Sequence, residues 1–173
     1  MICSIGHSTR SVAELIQLLQ ANAVRTLADV RTVPRSRRNP QFEQGPLREA
    51  LAQAHIGYVH LRELGGLRKA RADSPNAGWR NASFRGFADY MLTADFEAGL
   101  QRLLALEAEG PVVVMCAEAV WWRCHRSLIA DALLARGVQV EHILGPGPRR
   151  PHRLTPLARV EGDRVTYSGE GGE

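Results

Sequence analysis

A cysteine closing an apolar run, an acid two residues on, and then a Cys-His-Arg triplet are the groups in this chain best suited to chemistry. They lie within PVVVMCAEAVWWRCHRSLIADALLARG, Pro111 to Gly137. Val112 to Met115 is the unbroken apolar run of a strand buried on both faces of a parallel sheet, and it ends at Cys116. From about Ser127 the period becomes helical: Leu128, Ile129, Ala132 and Leu133 form a stripe, and Gly137 offers a left-handed stop. A strand feeding a helix through a polar loop is where open α/β sheets bind ligands, because the helix start presents unpaired N–H groups and positive potential.

Cys116 is the sharpest candidate. A thiol facing a helix start and nearby arginines ionises more easily, and the thiolate is the nucleophile. Cysteine at a strand end, a loop, then arginine is also the layout of sulfurtransferases and thiol phosphatases, although their loops are tighter than the six residues between Cys116 and Arg123. The structural alternative is a small hydrophobe ending a core strand. Glu118 is the natural acid or base, but its charge opposes a low thiol pKa. It either serves a different step, binds a ligand hydroxyl or base edge, or pairs with Arg126 or Arg31. Arg126 is expected to hold an anion beside His125, since a cation at a helix start wants an anionic partner. For Cys124 packing is the expectation.

His7, Ser8, Thr9 and Arg10 occupy the first strand–helix turn. Ser8, Arg10 and the backbone there are placed to hold a phosphate, with His7 as a general acid. Asp29 either orients His7 or pairs with Arg31. Arg31, Arg35 and Arg38 are further anion contacts; Arg35, Arg37, Arg38 and Lys69 read equally as a solvated loop. Trp121, Trp122 and Trp79 either stack a base or fill gaps in the core. A metal set of Cys116, Cys124, His125 and His7 lacks close Cys-x₂₋₄-Cys pairs, so the reading includes neither metal nor cofactor.

The elements that must position these groups alternate. Ile2–Ile5 reads as a strand; Ser11 and Glu14 form a capping box for a helix carrying Val12, Leu15, Ile16 and Leu19. Thr26–Val30 is a second strand, and the polar stretch TVPRSRRNPQFEQG follows. Pro46 suits a first helical turn continued by Leu47, Ala50, Leu51 and Ala54. Gly57–Leu61 is a third strand ending near His60. No period is visible from Arg62 to Ser83, the mark of a lid or of a hidden element. Helices at Phe84–Met91 and Asp95–Ala108 precede the central strand. Val138–Leu144 is a fifth strand, GPGPRRPHR a loop, and ARVEGDRVTY a hairpin turning at Gly162-Asp163. The expected fold is therefore α/β: one domain over residues 1–168 with a mostly parallel sheet, helices on both faces, a small C-terminal hairpin, and a disordered tail at 169–173. Strand C-termini then share one edge, where His7, Asp29, Arg31, His60, Cys116 and Glu118 converge.

Positive charge is local. Between Arg25 and Arg85 eleven Arg and one Lys stand against five acids, in a chain whose net charge is only +4. Such a segment suggests an anionic partner, a small phosphorylated molecule or nucleic acid. Three cysteines do not make a disulfide framework, and no apolar run approaches membrane-spanning length, so a cytoplasmic chain with reduced thiols and no membrane association is expected.

The motifs GHSTRS, DVRTVPRSRRNPQF, ELGG, SPNAGWRNASFRGFADYM and CAEAVWWRCHRSLIADAL resemble, in order, those of the bacterial and archaeal family called domain of unknown function 488. The resemblance implies an α/β fold and a cluster comprising His7, Ser8, Arg10, Asp29, Arg31, Cys116, Glu118, Cys124, His125 and Arg126. It implies no activity. The residues themselves favour an enzyme acting on a small anionic or nucleotide-like substrate in the strand-end cleft. The alternatives are a nucleic-acid-binding or base-modifying protein using the Arg25–Arg85 region, and a ligand-binding module without turnover. Substrate, reaction type and oligomeric state stay open.

Overall fold

A computed structural model describes residues 1–169. The tail expected to be disordered falls, from residue 170 on, outside the described residues. The elements are β1 (Ile2–Gly6), α1 (Val12–Ala21), β2 (Thr26–Asp29), α2 (Gln44–Gln53), β3 (Gly57–His60), α3 (Ala82–Tyr90), α4 (Ala94–Glu109), β4 (Val112–Cys116), α5 (Arg126–Ala135), β5 (Val140–Ile143), β6 (Arg150–Pro151), β7 (Arg159–Glu161) and β8 (Arg164–Thr166). The main sheet runs β3-β2-β4-β1-β5-β6. Its first five strands are parallel and β6 is antiparallel to β5; β7 and β8 form the separate hairpin. The fold is thus α/β, as the alternating periods predict.

Strand periodicity explains the two cores. Along β4, Val112, Val114 and Cys116 join Leu128, Ile129, Phe87 and Leu100 from α5, α3 and α4, whereas Val113 and Met115 join Leu15, Leu19, Leu47 and Leu51 from α1 and α2. Cys3 belongs to the second core, so it faces away from Cys116 across the sheet. The Ser11–Glu14 capping box is present on α1.

The strand order also locates a crevice. From β1 the chain crosses to β2 and β3 on one side; from β4 it crosses β1 to reach β5 on the other. The order therefore reverses between β1 and β4, the position at which loops diverge and leave room for a ligand.

Two features depart from the sequence reading. The loop GPGPRRPHR contains the short strand β6, Arg150–Pro151, which its three prolines mask in the sequence. The patternless stretch after Arg62 is mostly irregular beyond a single 3₁₀ turn at Arg62–Leu64, yet it is tied down. Buried Asp89 accepts hydrogen bonds from the Arg71 N–H, the Ser74 hydroxyl and the Asn76 amide. Asn76 in turn accepts from the Tyr167 N–H, coupling the segment to the chain beyond β8. It forms a wall rather than a regular element.

Candidate active site

Cys116 ends β4 beside Gly6, the last residue of β1, and their backbones run on together: the His7 N–H donates to the Cys116 carbonyl and the Ser8 N–H to that of Ala117. A Cβ on Gly6 would collide with the Glu118 carbonyl, so glycine there lets the 117–119 strip cross β1. This strip separates two cavities. One, of about 280 Å³, is lined by Cys116, Cys124, His125, Arg31, Arg123 and Gly66, among others. The other, of about 530 Å³, is lined by His7, Ser8, Arg37 and Arg38. Ala117 and Glu118 belong to both.

Arg126 lies behind the thiols of the first cavity rather than on its wall. Its side chain is 2% exposed. Nε donates to Cys116 Sγ at 3.0 Å, Nη1 to Ser4 Oγ at 3.0 Å and Nη2 to the Glu118 carbonyl at 2.5 Å. It makes no salt bridge to a carboxylate among the described residues. Cys124 Sγ accepts from the Arg126 backbone N–H at 3.5 Å and meets His125 Nδ1 at 3.5 Å. The other ring nitrogen of His125, Nε2, is 3.0 Å from the Val30 carbonyl. A carbonyl only accepts, so Nε2 carries hydrogen and Nδ1 is the atom turned to the thiol. Gly66 packs against this ring so closely that a Cβ would strike it.

Both thiols line this cavity, and the Cys116 S–H is turned to the Glu118 carbonyl, 3.9 Å away. Burial, and then the Cys124 thiol, pushes Cys116 well above the ordinary thiol range. Burial also penalises a charge on Cys124, but the neighbouring Cys116 thiol and the His125 ring, with the Arg126 charge, pull it well below. A negative charge on either thiol is met by Arg126, through Nε at Cys116 and through the backbone N–H at Cys124, and Cys124 has the His125 ring beside it as well.

Several sequence candidates sit elsewhere or are occupied. Asp29 is fully buried and is bound by Arg31 through both carboxylate oxygens, at 2.9 and 2.7 Å, and by the Tyr58 hydroxyl at 2.6 Å. Of the two roles foreseen for Asp29, the structure displays the pairing with Arg31. Arg10 donates to the Gly6 and Leu144 carbonyls, which ties down a loop instead of leaving a phosphate clamp. Trp121 stacks face to face on His142 at 4.2 Å and lines neither cavity. Trp79 is packed with Phe84 and Tyr167, leaving Trp122, 54% exposed, as the open indole. Arg35 is exposed and lines neither cavity, whereas Arg38 borders the second. His60 holds the Arg31 carbonyl at 2.7 Å. Glu118 is exposed on the shared wall; its carbonyl, not its carboxylate, meets Arg126. No group of three or more His, Cys, Asp or Glu among the described residues is arranged to hold a metal.

His7 differs from the others. Nδ1 lies 2.9 Å from the Ser8 carbonyl and so carries hydrogen, while Nε2 is a buried acceptor without a partner among the described residues. Burial pushes its pKa down.

Behind Arg126 runs a chain of buried groups that sequence reasoning missed. Asp131 Oδ1 accepts from His152 Nε2 at 2.8 Å, which leaves His152 Nδ1 to accept from His142 Nε2 at 2.9 Å. His142 Nδ1 then accepts from the Ser4 hydroxyl at 2.6 Å, and Ser4 Oγ accepts from Arg126. Every donor points from the guanidinium toward the carboxylate, so the chain has one consistent set of protons. The available signal was weak: Ser4, Asp131 and His142 are polar residues at core-facing positions of otherwise apolar elements, and each therefore needed a partner.

This chain predicts acid sensitivity. Burial, with His152 and Arg126 adding to it, pushes His142 down to about 3. Below its ordinary value near 6.5 the unfolded chain takes up a proton that the folded chain refuses, so stability falls as pH falls. From pH 6.5 to 4.5 the loss from this group is about 2 kcal/mol. Urea unfolding across that range should show it, and His142→Gln should remove about one proton from the slope. An unchanged slope in the variant would exclude the assignment.

A family model described as Domain of unknown function DUF488 matches residues 11–133, most of the chain, in agreement with the motif resemblance. No curated protein and no solved structure matches the chain.

Proposed function

We propose, for a chain that belongs to the Domain of unknown function DUF488 family, that the cleft between β1 and β4 is a thiol-dependent enzyme site for a small anionic substrate. The observation that carries this is the buried guanidinium of Arg126, whose ionisable neighbours are two thiols and no carboxylate. An unpaired buried cation costs several kcal/mol, and a thiolate removes that cost. Cys124 is the nucleophile in this reading, with His125 Nδ1 exchanging the thiol proton and the Val30 carbonyl orienting the ring. Cys116, given the nucleophile's role on sequence alone, is here the neighbouring thiol, held by Arg126 Nε and turned to the Glu118 carbonyl. Arg123 on the cavity wall attracts the substrate anion, and Glu118 at the rim is placed to trade a proton with a leaving group. Asp29 serves by fixing Arg31.

A nucleic-acid partner has less support. Trp121 and Trp79 are committed to the fold, so of three candidate stacking platforms a single exposed indole, Trp122, is left.

Iodoacetamide labelling at pH 6.5, read by peptide mass spectrometry, tests the proposal. Cys124 should label fastest of the three thiols, and phosphate or sulfate should slow it by filling the same cavity. Labelling of Cys124 no faster than that of Cys3, which burial makes less acidic, with no protection by anions, would make the thiols structural and sink the proposal.

A further inference from the structure

We propose that Cys116 and Cys124 together form a thiol–disulfide exchange centre whose substrates are small anionic disulfides. This rests on the thiol-dependent reading above and names its substrate class. Both thiols line the same cavity and both contact Arg126, one through Nε and the other through its backbone N–H. They stand on the same face of the sheet. Cys3 lies in the opposite core and cannot compete for either. A nucleophile with a second thiol on the wall of the same cavity is the arrangement that resolves a mixed disulfide.

The steps balance as follows. The Cys124 thiolate attacks one sulfur of R–S–S–R, forming a mixed disulfide and expelling RS⁻. Cys116 then loses its proton to the departing RS⁻, attacks Cys124 Sγ and expels the second RS⁻. The substrate disulfide has gained two electrons, and the two cysteines have lost them to a Cys116–Cys124 bond. Excess small thiol reverses both steps.

Two features shape this exchange. Arg123 is an exposed cation on the cavity wall, Arg31 there is neutralised by Asp29, and the exposed Glu118 carboxylate shares the wall, so carboxylates on R are drawn to the Arg123 side of the mouth. Forming the protein disulfide also removes the thiolate beside Arg126 and leaves that guanidinium buried without a counter-charge. The reduced form is therefore favoured, and the disulfide is a strong oxidant that passes its oxidation on.

The test uses the full chain and oxidised glutathione as the anionic probe. Wild-type protein should lose two hydrogens by intact mass and yield one linked peptide pair joining Cys116 to Cys124. Cys116→Ser should stop at a mixed disulfide, retaining one glutathione on Cys124. Hydroxyethyl disulfide, which is neutral, should react about tenfold more slowly at low ionic strength. If Cys124 labels rapidly with iodoacetamide yet no Cys116–Cys124 peptide forms, the exchange centre is refuted and the thiol-dependent site survives. If Cys124 does not label either, both fall. Equal rates for the charged and neutral disulfides would refute the anionic substrate class. The wild-type peptide map requires no variant, so misfolding of Cys116→Ser cannot obscure the result.

Discussion

Arg126→Met should label with iodoacetamide at Cys124 about tenfold more slowly than wild type at pH 7. The guanidinium supplies the positive charge beside both thiols, together with a hydrogen bond to Cys116 and a backbone N–H bond to Cys124 from the same residue. Without that charge the thiolate fraction falls. The loss is partly offset because a less acidic thiol is intrinsically the better nucleophile, which is why the net change stays near tenfold. Methionine fills much of the same volume, and the thiol can reprotonate, so no charge is left buried. The stability cost is then the orphaned Glu118 carbonyl and Ser4 oxygen, about 1–3 kcal/mol each at most. Arg126→Lys keeps a charge but loses the three-pronged contact, and should recover part of the rate. Circular dichroism establishes that the variant is folded. A folded Arg126→Met labelling at the wild-type rate would show that the thiols do not depend on the guanidinium.

Periodicity made the frame legible. The Val112–Met115 run predicts an internal strand, and it lies between β2 and β1; alternation along the chain predicts the parallel order and hence the shared edge. The hairpin turn is where Gly162-Asp163 puts it, with Gly162 at φ 61. What each side chain does at that edge was much less legible, because hydrogen-bond partners come from elements that sequence spacing does not bring together. Ser4 and His142 are 138 residues apart, and Arg126 and Ser4 are 122 apart. Trp121 and Arg10 read as ligand contacts only while their partners, a histidine ring and the Gly6 and Leu144 carbonyls, were unknown. Cys124 read as packing for a related reason. It is indeed buried, but burial among a guanidinium, an imidazole and a second thiol differs from burial among leucines, and composition does not distinguish them.

The largest loss of stability should come from Asp131→Ala, more than about 4 kcal/mol. Asp131 is 0% exposed and accepts from His152 Nε2 at 2.8 Å, the Thr155 N–H at 3.0 Å and the Tyr167 hydroxyl at 2.7 Å. Those three donors belong to the chain around and beyond β6, and one side chain of α5 pins all of them. Alanine leaves three buried donors without an acceptor, and each orphan carries its own desolvation penalty. Asparagine is milder: its carbonyl serves His152 and Thr155, while its amide donates to the Tyr167 oxygen, which can accept. Asp131→Asn should therefore cost about 1–2 kcal/mol. The two variants also separate anchoring from charge. With Asn the rings of His152 and His142 keep their orientation and Ser4 keeps its bond to Arg126, so Cys124 labelling should stay within about twofold of wild type. With Ala the rings lose their terminal acceptor and labelling should slow, even under conditions where the variant is fully folded. Urea unfolding and labelling rates measured on the same preparations decide the matter. An Asp131→Ala protein within 1 kcal/mol of wild type would mean that the chain from Asp131 to Arg126 does not hold the site.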